Sequence, residues 1–213
     1  MSLNRERLFE GLPQVGGHPA LDLMNTVEYR GRFEPGDRLN SLDRLLAWSE
    51  MAGLIDQDES RDLRRLASER PGNAERALRD IAHLREEARN ALGARLNGKI
   101  DLKAMEFLRA RVERAARGVR VMVDNDGISF KRGHEAGGFD ELVDRIALSI
   151  ENLFGLAGRE LLRECEGENC DWLFFDRSRS RHRRWCHPGQ CGNAARVRNF
   201  RARRSAAPAK KQD

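Results

Sequence analysis

The chain has 213 residues, 39% hydrophobic and 34% charged, with a formal net charge of +5. That mixture supports a packed core and excludes wholesale disorder, and an aromatic content of 6% argues against an aromatic-rich β sandwich. No run approaches the roughly 18 apolar residues of a membrane span, and charges occupy the N-terminal segment where a secretory signal would be apolar. A cytoplasmic protein without a membrane partner is the expectation.

Residues 1–40 are rich in Gly and Pro, with one apolar run from Ala20 to Val27 that reads as a short strand or the start of a helix. Ser41 is the N-cap of a helix whose apolar face is Leu42, Leu45, Leu46 and Trp48, and Gly53 stops it. A charged helix over 58–70 ends at Pro71. Asn73 caps the next, in which Leu78, Ile81, Ala88, Leu92 and Leu96 recur at helical steps. Asp101 caps another, with Leu102, Met105, Leu108 and Val112 on one face. Alternation at Val119, Val121 and Val123, then Asp124-Asn125-Asp126-Gly127 and Ile128-Ser129-Phe130, predicts a hairpin. A last long helix covers about 140–157. The predicted fold is α+β: a helix-dominated body over 1–158 with a small antiparallel sheet, a separate module over 159–205, and a disordered tail over 206–213.

All four cysteines lie in that module: Cys165, Cys170, Cys186 and Cys191, spaced C-x4-C-x15-C-x4-C. Two matched thiol pairs suit a tetrahedral zinc shell, each pair curling the backbone around the ion. Four cysteines close the shell, so the predicted zinc is structural, one per chain. The first pair lies between Leu161-Leu162 and Trp172-Leu173-Phe174-Phe175, which read as hairpin arms. The second precedes a helix running to about Arg204. This is treble-clef or ribbon-like logic, with Trp172, Phe175 and Trp185 as a small core. His182 and His187 are the alternative ligands. A unit this small needs metal to fold, and chelation is expected to spare a body with a separate core.

Charge is divided unequally. Residues 161–213 hold 13 Lys and Arg against 6 Asp and Glu, while the first 160 carry a net −2. From Arg177 to Lys211 there are 12 basic residues and no acid. Arginines on a metal-held scaffold suit phosphate contact and guanine reading, so the expected partner is a nucleic acid, duplex DNA or RNA. The candidate contacts are Arg177, Arg179, Arg181, Arg183, Arg196, Arg198, Arg201 and Arg203. In the helix, Val197 and Phe200 point together and are expected to pack on the knuckles.

Cys165, Trp172-Leu173-Phe174-Phe175-Asp176-Arg177, Arg183-Arg184-Trp185-Cys186 and Cys191-Gly192-Asn193 together resemble the bacterial CGNR zinc finger. Leu21-Asp22-Leu23-Met24-Asn25-Thr26 and Leu45-Leu46-Ala47-Trp48 resemble the ABATE domain that precedes that finger. The resemblance implies a stress-induced transcriptional regulator with the finger as DNA binder. The chain departs from the motif at Ala194, where the name-giving arginine would stand.

A regulator needs an input. His18, Asn25, Thr26 and Trp48, with Tyr29, are the candidate pocket for a small-molecule ligand in a sensing body. Asn25-Thr26 also reads as a cap or turn, His18 as a turn residue and Trp48 as core. No nucleophile elbow, P-loop, dinucleotide fingerprint or H-E-x-x-H occurs, so an enzyme is not expected. The alternatives to a DNA-binding regulator are an RNA- or ribosome-associated zinc protein and a protein-binding adaptor. A homodimer is left open.

Overall fold

A computed structural model describes residues 12, 14–28, 36–124, 127–132 and 137–205. Tyr29, the turn residues Asn125 and Asp126, and the expected disordered tail lie outside them. None of the helices described is long and apolar enough to cross a membrane.

The apolar run after Gly17 forms a short helix, α1 (Pro19–Met24), followed by β1 (Val27–Glu28), which pairs antiparallel with β2 (Gly36–Asp37). This pair adds a small sheet that the alternation did not announce, since two residues per strand carry no period. Helix α2 (Leu42–Met51) starts at Ser41, whose hydroxyl accepts the Arg44 N–H at 3.4 Å. It ends before Gly53, whose φ of +67° is the left-handed conformation that favours glycine. Helix α3 (Gln57–Glu69) opens with a capping box between Asp56 and Glu59.

Pro71 does not merely end α3; it is the first residue of α4 (Pro71–Leu96). A proline tolerates that position because its missing N–H would have no partner there. Asn73 therefore sits inside the helix and does not cap it. The core side of α4 is built from Ala74, Ala77, Ile81, Leu84, Ala88, Ala91 and Leu92, so neighbouring helices can approach closely. Helix α5 (Leu102–Arg117) is capped by Asp101 as expected, but its buried face is Ala104, Leu108 and Ala115. Leu102 is 76% exposed and Met105 40%. Leu108 is inside as expected, joined by Ala104 and Ala115, and the ring of Phe107 lies 4.1 Å from that of His83 on α4.

Strands β3 (Val119–Asp124) and β4 (Gly127–Arg132) form the predicted hairpin. Helix α6 (Gly138–Leu156) buries Phe139, Leu142, Ile146, Ile150 and Leu153. Helices α4, α5 and α6 pack against one another, and α1 lies against α4 and α6.

After α6, strands β5 (Leu162–Glu164) and β6 (Leu173–Phe175) form an antiparallel hairpin. A π-helical turn, Pro188–Gly192, leads into α7 (Asn193–Ser205). The module does not have a wholly separate core. Leu173 and Phe175 belong to the body's apolar cluster, and Leu162 packs against it. The module's own cluster is Cys165, Trp172, Phe174 and Cys186, with Val15, Cys170, Trp185 and Cys191 around it. Phe174, not Phe175, is its buried phenylalanine, because alternation along β6 sends the two rings to opposite faces.

Candidate metal centre and arginine helix

The four cysteine sulfurs lie within 4.8 Å of one another. Cys170 Sγ is 3.7 Å from Cys186 Sγ, and Cys186 Sγ is 3.6 Å from Cys191 Sγ. Zinc–thiolate bonds of about 2.3 Å place neighbouring sulfurs of a tetrahedron about 3.8 Å apart, so these spacings fit a zinc shell.

The backbone is shaped around the sulfurs. Gly167 and Cys186 aim their N–H groups at Cys165 Sγ, at 3.4 and 3.3 Å. A Cβ on Gly167 would stand 3.0 Å from Cys170 Cβ and 3.2 Å from Cys191 Sγ. A larger residue would make the shell give by a few tenths of an ångström. Gly192 is needed for a different reason: a Cβ there would meet Trp185 Cδ1 at 3.0 Å. His187 is not in the donor set, which the four sulfurs make up, and its Nδ1 accepts the Gly189 N–H at 3.2 Å.

Four thiols this close cannot titrate independently. Hydrogen bonds from Cys170, then Cys186 and Cys191, push Cys165 below its ordinary value. Contact with Cys165 pushes Cys170 and Cys186 up. The cluster is thus a site in which a divalent cation can replace shared protons. The positive end of α7 begins beside it, which favours the negative charge of a thiolate shell.

A second polar centre shapes the loop between the knuckles. Buried Asp176 accepts from the Ser178 N–H and hydroxyl, the Arg183 N–H and Arg163 Nε. Burial pushes its carboxyl up, but these donors outweigh burial and hold it at about 2. Sequence reasoning passed over Asp176, Arg163 and Gly167. The signal was a carboxylate and a glycine beside the cysteines; Ser178 and Cys170 are near them in sequence, but Arg163 and Cys191 are not.

The structure divides the arginine pool. The Arg183 guanidinium lies over Phe174 and donates to the carbonyls of Val15, Trp185 and Cys186. Its role is to join the N-terminal loop to the finger. Arg177 donates to Gly17 O and pairs with Glu160, which also ties it to the body side. Arg198 pairs with Glu168 at 2.6 Å, and Arg196 donates to Pro188 O. Arg179, Arg181, Arg201 and Arg203 are exposed and make no side-chain ion pair among the described residues.

Helix α7 buries only Ala195. Val197 and Phe200 do not pack on the knuckles; they are 41% and 61% exposed. Ala195, near the helix root, is the side chain that α7 buries, and the rest of the helix lines a groove beside the knuckles. Ala194, Val197, Arg198, Arg201, Ala202 and Ser205 form one wall of a groove of about 1190 Å³, faced by Glu168, Asp171 and Trp172. Ala194, in place of the motif arginine, is part of that wall.

The candidate pocket residues have structural partners. His18 caps α1, accepting the Ala20 N–H, and its Nε2 lies 3.1 Å from Asn152 Oδ1. Asn25 is buried and binds Leu173 of the finger twice, donating to its carbonyl at 2.9 Å and accepting its N–H at 2.8 Å. Thr26 accepts from Arg85, which also forms a bidentate pair with Asp37. Trp48 is 1% exposed in the core. The four residues hold the body together and to the finger; neither the groove nor the smaller cavity beside Glu59 and Arg145 includes them.

The chain matches the family described as "ABATE: Putative stress-induced transcription regulator" over residues 17–154. It belongs to that family. Residues 162–204 match the CGNR zinc finger, which covers both knuckles and nearly all of α7. Comparison with curated proteins found no match. The ABATE body thus contributes Asn25 to the hairpin of the CGNR finger, so the two matched regions are joined by buried hydrogen bonds as well as by chain.

Proposed function

We propose that this ABATE-family chain is a DNA-binding transcription regulator whose finger holds one structural zinc ion through Cys165, Cys170, Cys186 and Cys191. The observation that carries this reading is α7: thirteen residues with five arginines, no acid and one buried side chain, rooted at the metal centre. A helix exposed nearly all round gains little from its own fold, so its surface serves a partner. Arginine without intervening acid matches a polyanion. The zinc fixes the helix root and performs no chemistry, because four thiolates leave no open position.

Arg196, Arg198, Arg201, Arg203 and Arg204 supply the helix contacts, and Arg179 and Arg181 supply a second group on the loop. Arg183 leaves the set of DNA contacts because its donors are committed. If about five arginines engage phosphates, log affinity falls against log salt with a slope of about −4 to −5. In the full chain, Arg201→Ala is expected to weaken binding to all duplexes alike and reduce the slope by about one. Arg198 lies in the same wall and is the choice for base reading, where alanine costs about 1–3 kcal/mol on the preferred site only. Unchanged duplex affinity after replacing both overturns the assignment. Tighter binding to structured RNA or to an acidic protein surface in direct competition replaces DNA as the partner.

A further inference from the structure

The β3–β4 hairpin takes part in neither the metal centre nor the arginine helix, yet it carries a concentrated apolar exposure. Val121 is 58% exposed, Val123 75% and Ile128 69%. Val121 and Val123 are two residues apart, and Ile128 faces Val123 across the ladder, so all three share one face. Strand β4 leans on α6, whereas among the described residues no strand pairs with the outer edge of β3. A two-stranded hairpin is marginal by itself, and an apolar free edge is a template for another strand.

The register fixes which backbone groups are free. Asp124 pairs with Gly127 across a two-residue connection. Such a closing pair is hydrogen-bonded, and the pattern alternates along the ladder. Positions 124, 122 and 120 therefore bond β4, while Val119, Val121 and Val123 turn their N–H and C=O groups outward.

We propose that β3 pairs antiparallel with β3 of a second copy of this chain, across a two-fold axis at Met122, to form a four-stranded sheet. Outward groups meet outward groups when the axis passes through position 121, 122 or 123. Only the axis at 122 sets position 120, an arginine, opposite position 124, an aspartate, of the second copy. It also sets Val121 opposite Val123 twice over. An axis at 121 or 123 leaves both charges facing methionine or a residue outside the strand, and an axis at 120 sets arginine against arginine. Within its own hairpin position 120 is opposite position 131, a lysine, whereas the second copy sets an aspartate opposite it. The contact is isologous, so it closes at two copies.

The test is the mass of the full-length chain by sedimentation, read beside crosslinking. The wild type is expected at twice 24.3 kDa. Arg120→Asp is expected to give monomer, since it sets two aspartates opposite two others. Within the hairpin the same change sets an aspartate opposite position 131, a lysine. The double change Arg120→Asp with Asp124→Arg is expected to restore the dimer. Met122→Cys lies on the axis in a non-hydrogen-bonded pair, with Cα atoms about 4.5 Å apart, and is expected to crosslink on oxidation. Ile128→Cys, more exposed at 69% against 40% but away from the axis, is not. A monomeric wild type, a dimer indifferent to Arg120→Asp, or crosslinking through Ile128 in place of Met122 overturns the proposal.

Discussion

Body helices bury whole faces against one another: Ile81, Leu84 and Leu92 of α4 and Leu142, Ile146 and Ile150 of α6 are all essentially inaccessible. The finger encloses only Cys165, Trp172, Phe174 and Cys186. It makes up the difference in three ways: a thiol shell fit for zinc, the donors gathered on Asp176, and Leu173 and Phe175 lent to the body's core. The contrast teaches that dependence runs both ways. On the proposed reading, metal makes up for the small size of the finger's apolar cluster. The body needs the finger's hairpin because two of its buried side chains come from there.

The sharpest way to break this comparison is to remove the metal. Chelation, or Cys186→Ser, is expected to abolish the order of the knuckles and α7. The body should stay helical, with a lowered melting temperature, because Leu173 and Phe175 lose their anchor. Helical circular dichroism and melting measured together check this. A body melting as before would show that the shared core contributes nothing, and complete loss of helix would show that the two regions are one cooperative unit.

Asn25→Ala attacks the junction from the body side. It leaves the buried N–H and carbonyl of Leu173 without partners, at about 1–3 kcal/mol each. A denaturant titration should show a loss of about 2–4 kcal/mol. A change under 1 kcal/mol would mean that the junction is held by apolar contact alone.

Two carboxylates compare the regions through pH. Asp22, in the body, is pushed up to about 6, chiefly by burial, against hydrogen bonds from Gly16 and Val15 N–H. Its folded pKa exceeds its unfolded value, so its contribution is present below the ordinary carboxylate value of 3.8 and is lost as pH rises through about 6. Asp22→Asn, which keeps an acceptor oxygen, should raise stability at pH 7 by on the order of 2 kcal/mol and flatten the profile between pH 4 and 6. Asp176, in the finger, has the opposite sign. Its pKa is depressed to about 2, so its contribution is present above the ordinary value and is lost as pH falls through about 2. Asp176→Asn should therefore destabilise at neutral pH, by an amount that shrinks as pH falls below the ordinary carboxylate value. Parallel pH profiles for the two variants would remove this distinction between body and finger.

The smallest expected effect is at Gly167. Alanine there intrudes on Cys170 and Cys191, and zinc affinity should fall by roughly tenfold, the scale of outer-shell changes. Competition with a chromophoric chelator measures it, and unchanged affinity would mean that the first knuckle yields without cost.

Much of the finger was legible along the chain. Cys165, Cys170, Cys186 and Cys191 announce a metal site through spacing, because one chelate turn is a local event. The Ser41 and Asp101 caps and the β3–β4 alternation are local as well, and they stand as read. What failed were choices among faces. Met105 and Leu102 are larger and more apolar than Ala104, yet Ala104 is inside with Leu108 and Ala115, because the direction of the helix face, not side-chain size, decides which positions meet the core. Phe200 was expected against the knuckles and is exposed, because Ala195 already fills the contact at the helix root.

Composition and spacing determined by themselves that this chain has a helical body, a four-thiol centre and an acid-free arginine segment. These follow from short-range periodicity and from charges counted along the chain. Only the tertiary structure decided that Asn25 reaches across 148 residues to Leu173 and that Arg183 serves carbonyls of the fold. The reason is physical: a polar side chain shows its type in the sequence, but burial sets the cost of leaving it unpartnered, and burial exists only once distant segments have met.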